Sequence, residues 1–164
     1  MSHRTLVILR HGKSSYPAGI PDHERPLAAR GERQAAEAGE WITAHVGKID
    51  LVLCSTATRT RQTLAHTGLD APTHYLDELY AASHLDYLEA LREHGGDASA
   101  LLLVGHEPSV SATALELAGD RTTEAARAVE QHYPTSGIAV LRTKLAWSEL
   151  ETGHAELTRF HVPR

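Results

Sequence analysis

The chain lacks most of what would place it outside the cell or in a membrane. A single cysteine, Cys54, excludes an intramolecular disulfide framework, and a reducing compartment is the natural expectation. Cysteine 54 follows Leu51-Val52-Leu53 directly, so it reads as a small strand residue and not as a nucleophile. Cations are outnumbered, 16 Lys and Arg against 21 Asp and Glu for a net charge of −5, which argues against a general binder of nucleic acid or membrane surfaces. Any affinity for phosphate must then be local. No apolar run approaches a membrane span, and Met1-Ser2-His3-Arg4 leads straight into a core-like strand, with no room for a signal peptide; a cytoplasmic protein is expected. Internal repeats, low-complexity segments and long linkers are missing too, so residues 1–164 are expected to form one domain, long enough for a full core. Twelve histidines raise a metal hypothesis, yet no two stand four residues apart as helical zinc ligands do. No metal and no cofactor are expected.

What is present begins at Thr5. Leu6-Val7-Ile8-Leu9 is an uninterrupted apolar run of the kind that forms a strand buried on both faces, and it turns abruptly polar at Arg10-His11-Gly12-Lys13-Ser14-Ser15. Ligand sites of open α/β sheets lie at such carboxyl edges. Arg10 offers a planar fork matched to phosphate oxygens, His11 a nucleophile or acid/base, and Gly12 the close backbone approach that an anion needs. Alone, the triplet reads equally well as a strand-to-loop transition with a solvated Arg and His. Lys13, Ser14 and Ser15 are candidate substrate contacts, the plainer alternative being a solvated loop.

The same pattern returns twice. Residues 16–22 are a Pro- and Gly-rich loop, and Ala28 to Val46 carries Ala35, Ala38, Ile42 and Val46 at helical spacing. Asp50 to Cys54 reads as a second strand that ends in a polar burst from Ser55 and opens a helix to about Leu69, with Arg59 one turn in as a possible second fork or a merely solvated residue. A short strand at 74–76, a helix carrying Leu85, Leu88 and Leu91 and closed by Gly95-Gly96, and a buried strand at 100–104 follow. That strand ends in Gly105-His106-Glu107-Pro108, Pro108 opening a helix to Gly119; 120–132 is a connecting helix or loop; strands are expected at 138–141 and 157–162. Alternating strands and helices imply an α/β sandwich with a mainly parallel sheet, and three strand ends then converge on one edge.

These residues resemble the histidine phosphatase (phosphoglycerate mutase-like) superfamily. Arg10-His11-Gly12-Lys13-Ser14-Ser15, Arg25-Pro26-Leu27 with Arg30-Gly31 and Gln34-Ala35, Leu79-Tyr80 with Ala82, Val104 to Pro108, and Pro134-Thr135-Ser136-Gly137 occur in the order found in the small SixA-type phosphohistidine phosphatases, over residues 5 to about 142. The resemblance implies a three-layer α/β/α sandwich. It also implies a metal-independent phosphatase in which His11 becomes transiently phosphorylated, with Arg10, Arg59 and His106 around the phosphoryl group. The substrate would be phosphohistidine in a protein or a small phosphorylated compound, with no nucleic-acid or membrane partner. Alternatives are a small-metabolite phosphomonoesterase or mutase, and a catalytically silent phosphoprotein-binding module. Retention of His11 argues against the last, and the chain is short for a mutase.

Three positions depart from the family pattern: Thr56 where Pro is usual, Thr60 where Ala is common, and Glu107 where Asn is frequent. Glu107 is expected to point outward or to pair with a cation, because a carboxylate facing the pocket would repel the substrate. Glu78 is a candidate general acid, the alternative being a solvated carboxylate.

Overall fold

The computed structural model describes residues 3–164. Six strands, β1 (Arg4–Arg10), β2 (Leu51–Ser55), β3 (Thr73–Leu76), β4 (Ala100–Gly105), β5 (Ile138–Thr143) and β6 (Glu156–His161), form one sheet in the order β3-β2-β4-β1-β5-β6. Strands β3, β2, β4 and β1 are parallel, β5 pairs antiparallel with β1, and β6 antiparallel with β5. The mainly parallel sheet read from the sequence is thus present, β5 alone running against the rest.

Strict alternation along the strands divides the apolar residues between two faces. Val7, Leu9, Val52, Cys54, Leu102 and Val104 pack with Ala38 and Ile42 of α1 (Ala29–His45) and Leu64 of α2 (Thr58–Thr67). Leu6, Ile8, Leu53, Leu101 and Leu103 face α3 (His84–His94), α4 (Ser109–Leu117) and α5 (Glu124–Gln131). Strands covered on both sides need no polar face, which is why they read as continuous apolar runs. Helix α3 is started by a capping box of Ser83 and Asp86, and α2 is closed by Gly68 at a φ of 72°. The stretch left open between helix and loop holds α5, capped by Thr123 and burying only Ala126 and Val129. Its buried stripe is too narrow to stand out among polar residues. Burial pushes the Cys54 thiol up to about 12, in keeping with a strand residue.

The sheet delivers the site. Arg10 pairs with Gly105 and Cys54 with Val104, so β1, β2 and β4 end level at one edge. Because β5 is antiparallel, it starts at that same edge, where the Gly137 carbonyl accepts the Arg10 N–H at 3.1 Å. Among the described residues no helix is long and apolar enough to cross a membrane.

Candidate active site

His11 stands at the first position beyond β1 and is only 8% exposed. Its Nδ1 lies 2.7 Å from the Gly12 carbonyl oxygen, which can only accept. Nδ1 therefore carries the ring proton and Nε2 keeps its lone pair. Burial is the main cause that pushes the His11 pKa down to about 4; the Gly12 hydrogen bond opposes it, and repulsion from Arg59, Arg10 and Arg25 adds to it. At neutral pH the ring is uncharged.

His106 follows β4 and is 9% exposed, its ring centroid 5.3 Å from that of His11. Its Nε2 is 2.8 Å from Ser55 Oγ, which already accepts the Ala57 N–H at 3.3 Å. The Ser55 hydroxyl has no other acceptor among the described residues, so it donates to Nε2, and Nδ1 of His106 carries the proton. Burial first, then His11 and Arg59, push His106 down to about 3, so it too is neutral and is a hydrogen-bond donor, not a cation.

Arg10 donates from Nη1 to the Tyr133 carbonyl at 2.8 Å, and burial lowers its pKa against the opposing pull of Glu107. Arg59, the second residue of α2, donates from Nη1 to the Asp22 carbonyl at 2.8 Å and from Nη2 to Asp22 Oδ2 at 3.2 Å. Arg10 Nε, Arg59 Nε and His106 Nδ1 are all buried without a partner in the protein. A buried, unpaired N–H costs about 1–3 kcal/mol, so these three nitrogens, on the two arginines whose charge reaches His11 and on the ring beside it, are donors that no protein group satisfies.

The remaining sequence candidates divide. The Gly12 N–H is taken by Thr63 Oγ1 at 2.9 Å, and a Cβ on Gly12 would stand 2.8 Å from the Gly31 carbonyl oxygen. A close approach that demands glycine here is the one to helix α1. Lys13 is exposed. Ser14 Oγ accepts from Arg25 Nη1 at 3.0 Å and Ser15 Oγ donates to the Pro26 carbonyl at 3.4 Å, so both hydroxyls hold the loop together. Glu78 is exposed, and its Oε2 faces His94 Nε2 at 3.5 Å; it is not gathered with His11, because the 3-10 turn Asp77–Leu79 buries Leu79 and turns Glu78 toward α3. Glu78, Glu93 and His94 bring potential metal-ligand atoms within 4.8 Å of one another, a grouping that no sequence spacing betrays.

The three departures each find a partner. Thr60 Oγ1 donates within 2.8 Å of the carbonyls of Ser55 and Ala57. Thr56 Oγ1 donates to Asp77 Oδ1 at 2.6 Å and so accepts from His23 Nε2 at 3.0 Å. Glu107 does not pair with a cation: its Oε1 accepts the Ser111 N–H at 2.6 Å and its Oε2 the Ser111 hydroxyl at 2.8 Å, so it caps α4.

Sequence reasoning passed over Asp22, Ser55, Tyr87 and Ser136. The Tyr87 hydroxyl accepts the His106 N–H at 3.0 Å and donates to the Leu79 carbonyl at 3.0 Å, tying β4 to the segment that carries Tyr80. Ser136, at a left-handed φ of 61°, shares its N–H between the carbonyls of Arg10 and His11. The one local signal was the Asp22–Arg25 spacing of three residues, which closes an ion pair at 3.0 Å.

Comparison with known proteins gives the family and the fold. Residues 6–142 match the model of the histidine phosphatase superfamily (branch 1). An uncharacterized protein of Mycobacterium tuberculosis is 52% identical over 158 residues, covering 95% of this chain and all of its own length. The structure of a provisionally named phosphohistidine phosphatase SixA from Nakamurella multipartitia superposes with a TM-score of 0.92 at 38% identity, over 99% of this chain and 98% of that one. The protein histidine phosphatase SixA complexed with tungstate gives 0.75 at 27% identity, over 97% of each.

Proposed function

We propose that this chain, which belongs to the histidine phosphatase superfamily, hydrolyses phosphohistidine in a protein, or a similarly activated small phosphorylated compound, through a covalent phosphohistidine on His11. That it is a phosphatase follows from the family and its SixA-like neighbours. The observation that carries the finer reading is the His11 tautomer: Nδ1 is committed to the Gly12 carbonyl, leaving a neutral Nε2 to attack. In the first step Nε2 bonds to phosphorus and the bond to the leaving group breaks, its electron pair staying with the leaving atom. In the second, water attacks the same phosphorus, the Nε2–P bond breaks, inorganic phosphate leaves and His11 returns to its starting form. Arg10, Arg59 and the His106 Nδ1–H offer donors to the charge on the transferring oxygens without a metal.

The choice of substrate rests on protonation. Glu78 is turned away from the site. The Asp22 carboxyl is held down to about 2, chiefly by the hydrogen bond from Tyr80, so it is ionised and has no proton to give. An alkoxide leaves poorly without an acid, whereas an imidazole nitrogen or an activated phenolate needs little help. Phosphoramidates and aryl phosphates should therefore surpass phosphoserine or glycerol phosphate in kcat/KM, with turnover indifferent to chelators and to Glu78→Gln. Alkyl esters turned over as well as phosphoramidates, or activity lost to a chelator and restored by a divalent ion, would overturn the reading.

A further inference from the structure

Asp22 lies in the Pro-rich loop after β1 and, Arg25 apart, is far in sequence from what it touches. All of the groups that bind its carboxylate are donors. Tyr80 donates its hydroxyl to Oδ2 at 2.6 Å, Arg25 its Nε to Oδ1 at 3.0 Å, and Arg59 its Nη2 to Oδ2 at 3.2 Å, while the Asp22 backbone carbonyl takes Arg59 Nη1 at 2.8 Å. One residue thus grips both terminal nitrogens of Arg59. A planar guanidinium pairs with oxyanions either end-on, through both terminal nitrogens, or side-on, through Nε and one of them. Asp22 occupies the end. What remains is the side, and Arg59 Nε is the atom left buried and unpartnered.

We propose that Asp22 is a positioning residue that forces Arg59 to meet the phosphoryl group side-on. Tyr80 and Arg25 hold Asp22 in turn, so the loop, β2–α2 and the segment after β3 are locked around one guanidinium. This rests on the reading of Arg59 as a phosphoryl-binding residue. It has a consequence that a plain scaffold role does not share. The carboxylate is a negative charge beside an anion site, so it opposes ground-state binding while it sets the orientation needed in the transition state. Removing it should therefore separate kcat from affinity.

The test uses Asp22→Asn with an aryl phosphate as substrate and inorganic phosphate as competitive inhibitor. The amide keeps one acceptor oxygen, so either Arg25 or the Tyr80–Arg59 pair must face an NH2; the carboxylate charge that orients Arg59 is removed and the hold on its guanidinium is loosened, the backbone carbonyl bond to Nη1 remaining. The expected result is a fall in kcat of about 10- to 100-fold, the scale of a misplaced reacting group, with KM and the inhibition constant for phosphate unchanged or lower. Tyr80→Phe, which removes only the hydroxyl that holds Oδ2 and leaves the carboxylate charge, should lower kcat by a smaller factor with KM and the inhibition constant for phosphate unchanged, and it decides the matter if Asp22→Asn does not fold. A kcat within about threefold of the parent, or a phosphate affinity that weakens in proportion to kcat, would overturn the proposal. The underlying reading is judged separately on the parent protein: a parent that turns over aryl phosphate without any phosphate on His11 defeats that reading, whereas a labelled parent with an unaffected Asp22→Asn variant defeats this inference alone.

Discussion

At the scale of single residues, the groups legible in the sequence are those that stand at strand ends, because the switch from an apolar run to Arg, His and Gly marks both a boundary and a chemistry. Arg10, His11 and His106 were found in this way, and Arg59 by its place one turn into a helix. Asp22, Ser55 and Tyr87 were not, since each acts through a hydrogen bond to a residue at least 19 positions away, and the Asp22–Arg25 spacing is the sole local sign among them. Glu78, a candidate acid whose alternative was a solvated carboxylate, shows the converse: side-chain direction, which sequence distance does not encode, points it at His94. His11 is also more enclosed than a crevice residue need be, so His11→Ala is expected to abolish turnover with a melting temperature that is altered by a few degrees at most. Arg10→Ala and Arg59→Ala should each lower kcat by about 10²- to 10³-fold, the usual loss when one donor to a developing charge is removed. Steady-state kinetics on folded variants checks all three, and near-native turnover in any one removes that residue from the site.

At the scale of elements, strands covered on both faces and helices with wide apolar stripes were read to within a few residues, whereas α5 stayed ambiguous because only Ala126 and Val129 are buried. The reversal of β5 was not legible either, since an antiparallel strand buried on both sides carries the same apolar run as a parallel one. What positions the loop after β1 is the crossing of two glycines. A Cβ on Gly31 would stand 2.2 Å from the Lys13 carbonyl oxygen, a backbone atom that cannot swing aside. Gly31→Ala must push α1 away from the loop that carries Gly12, and the cost of such overpacking is about 1–3 kcal/mol. We expect a lower denaturant midpoint together with a loss of turnover, because His11 Nδ1 is bonded to the Gly12 carbonyl. An alanine variant with parent stability and parent kcat would show that the crossing has slack.

At the scale of the whole molecule, two buried neutral imidazoles make stability depend on pH. An unfolded histidine binds its proton near pH 6.5, whereas His11 and His106 hold out to about 4 and about 3. Between those limits the unfolded chain binds more protons than the folded one, so stability is complete above pH 6.5 and falls as the pH drops toward 4. Asp22, held near 2, adds to the loss in the same direction once the pH falls below the ordinary carboxyl range. Denaturant unfolding at pH 7 and pH 4.5 measures this, and His106→Asn should narrow the difference; equal stability at the two values would contradict the burial of neutral rings. The same protonation sets the acid limb of kcat/KM near pH 4 and not near 6.5. The central claim, that His11 itself carries the phosphoryl group, is tested most directly by mixing the intact protein with a radiolabelled aryl phosphate, quenching in denaturant and mapping the label. The account predicts phosphate that is acid-labile, base-stable, attached at His11 and absent from His11→Ala; turnover with no such label, or with label on another residue, would contradict it.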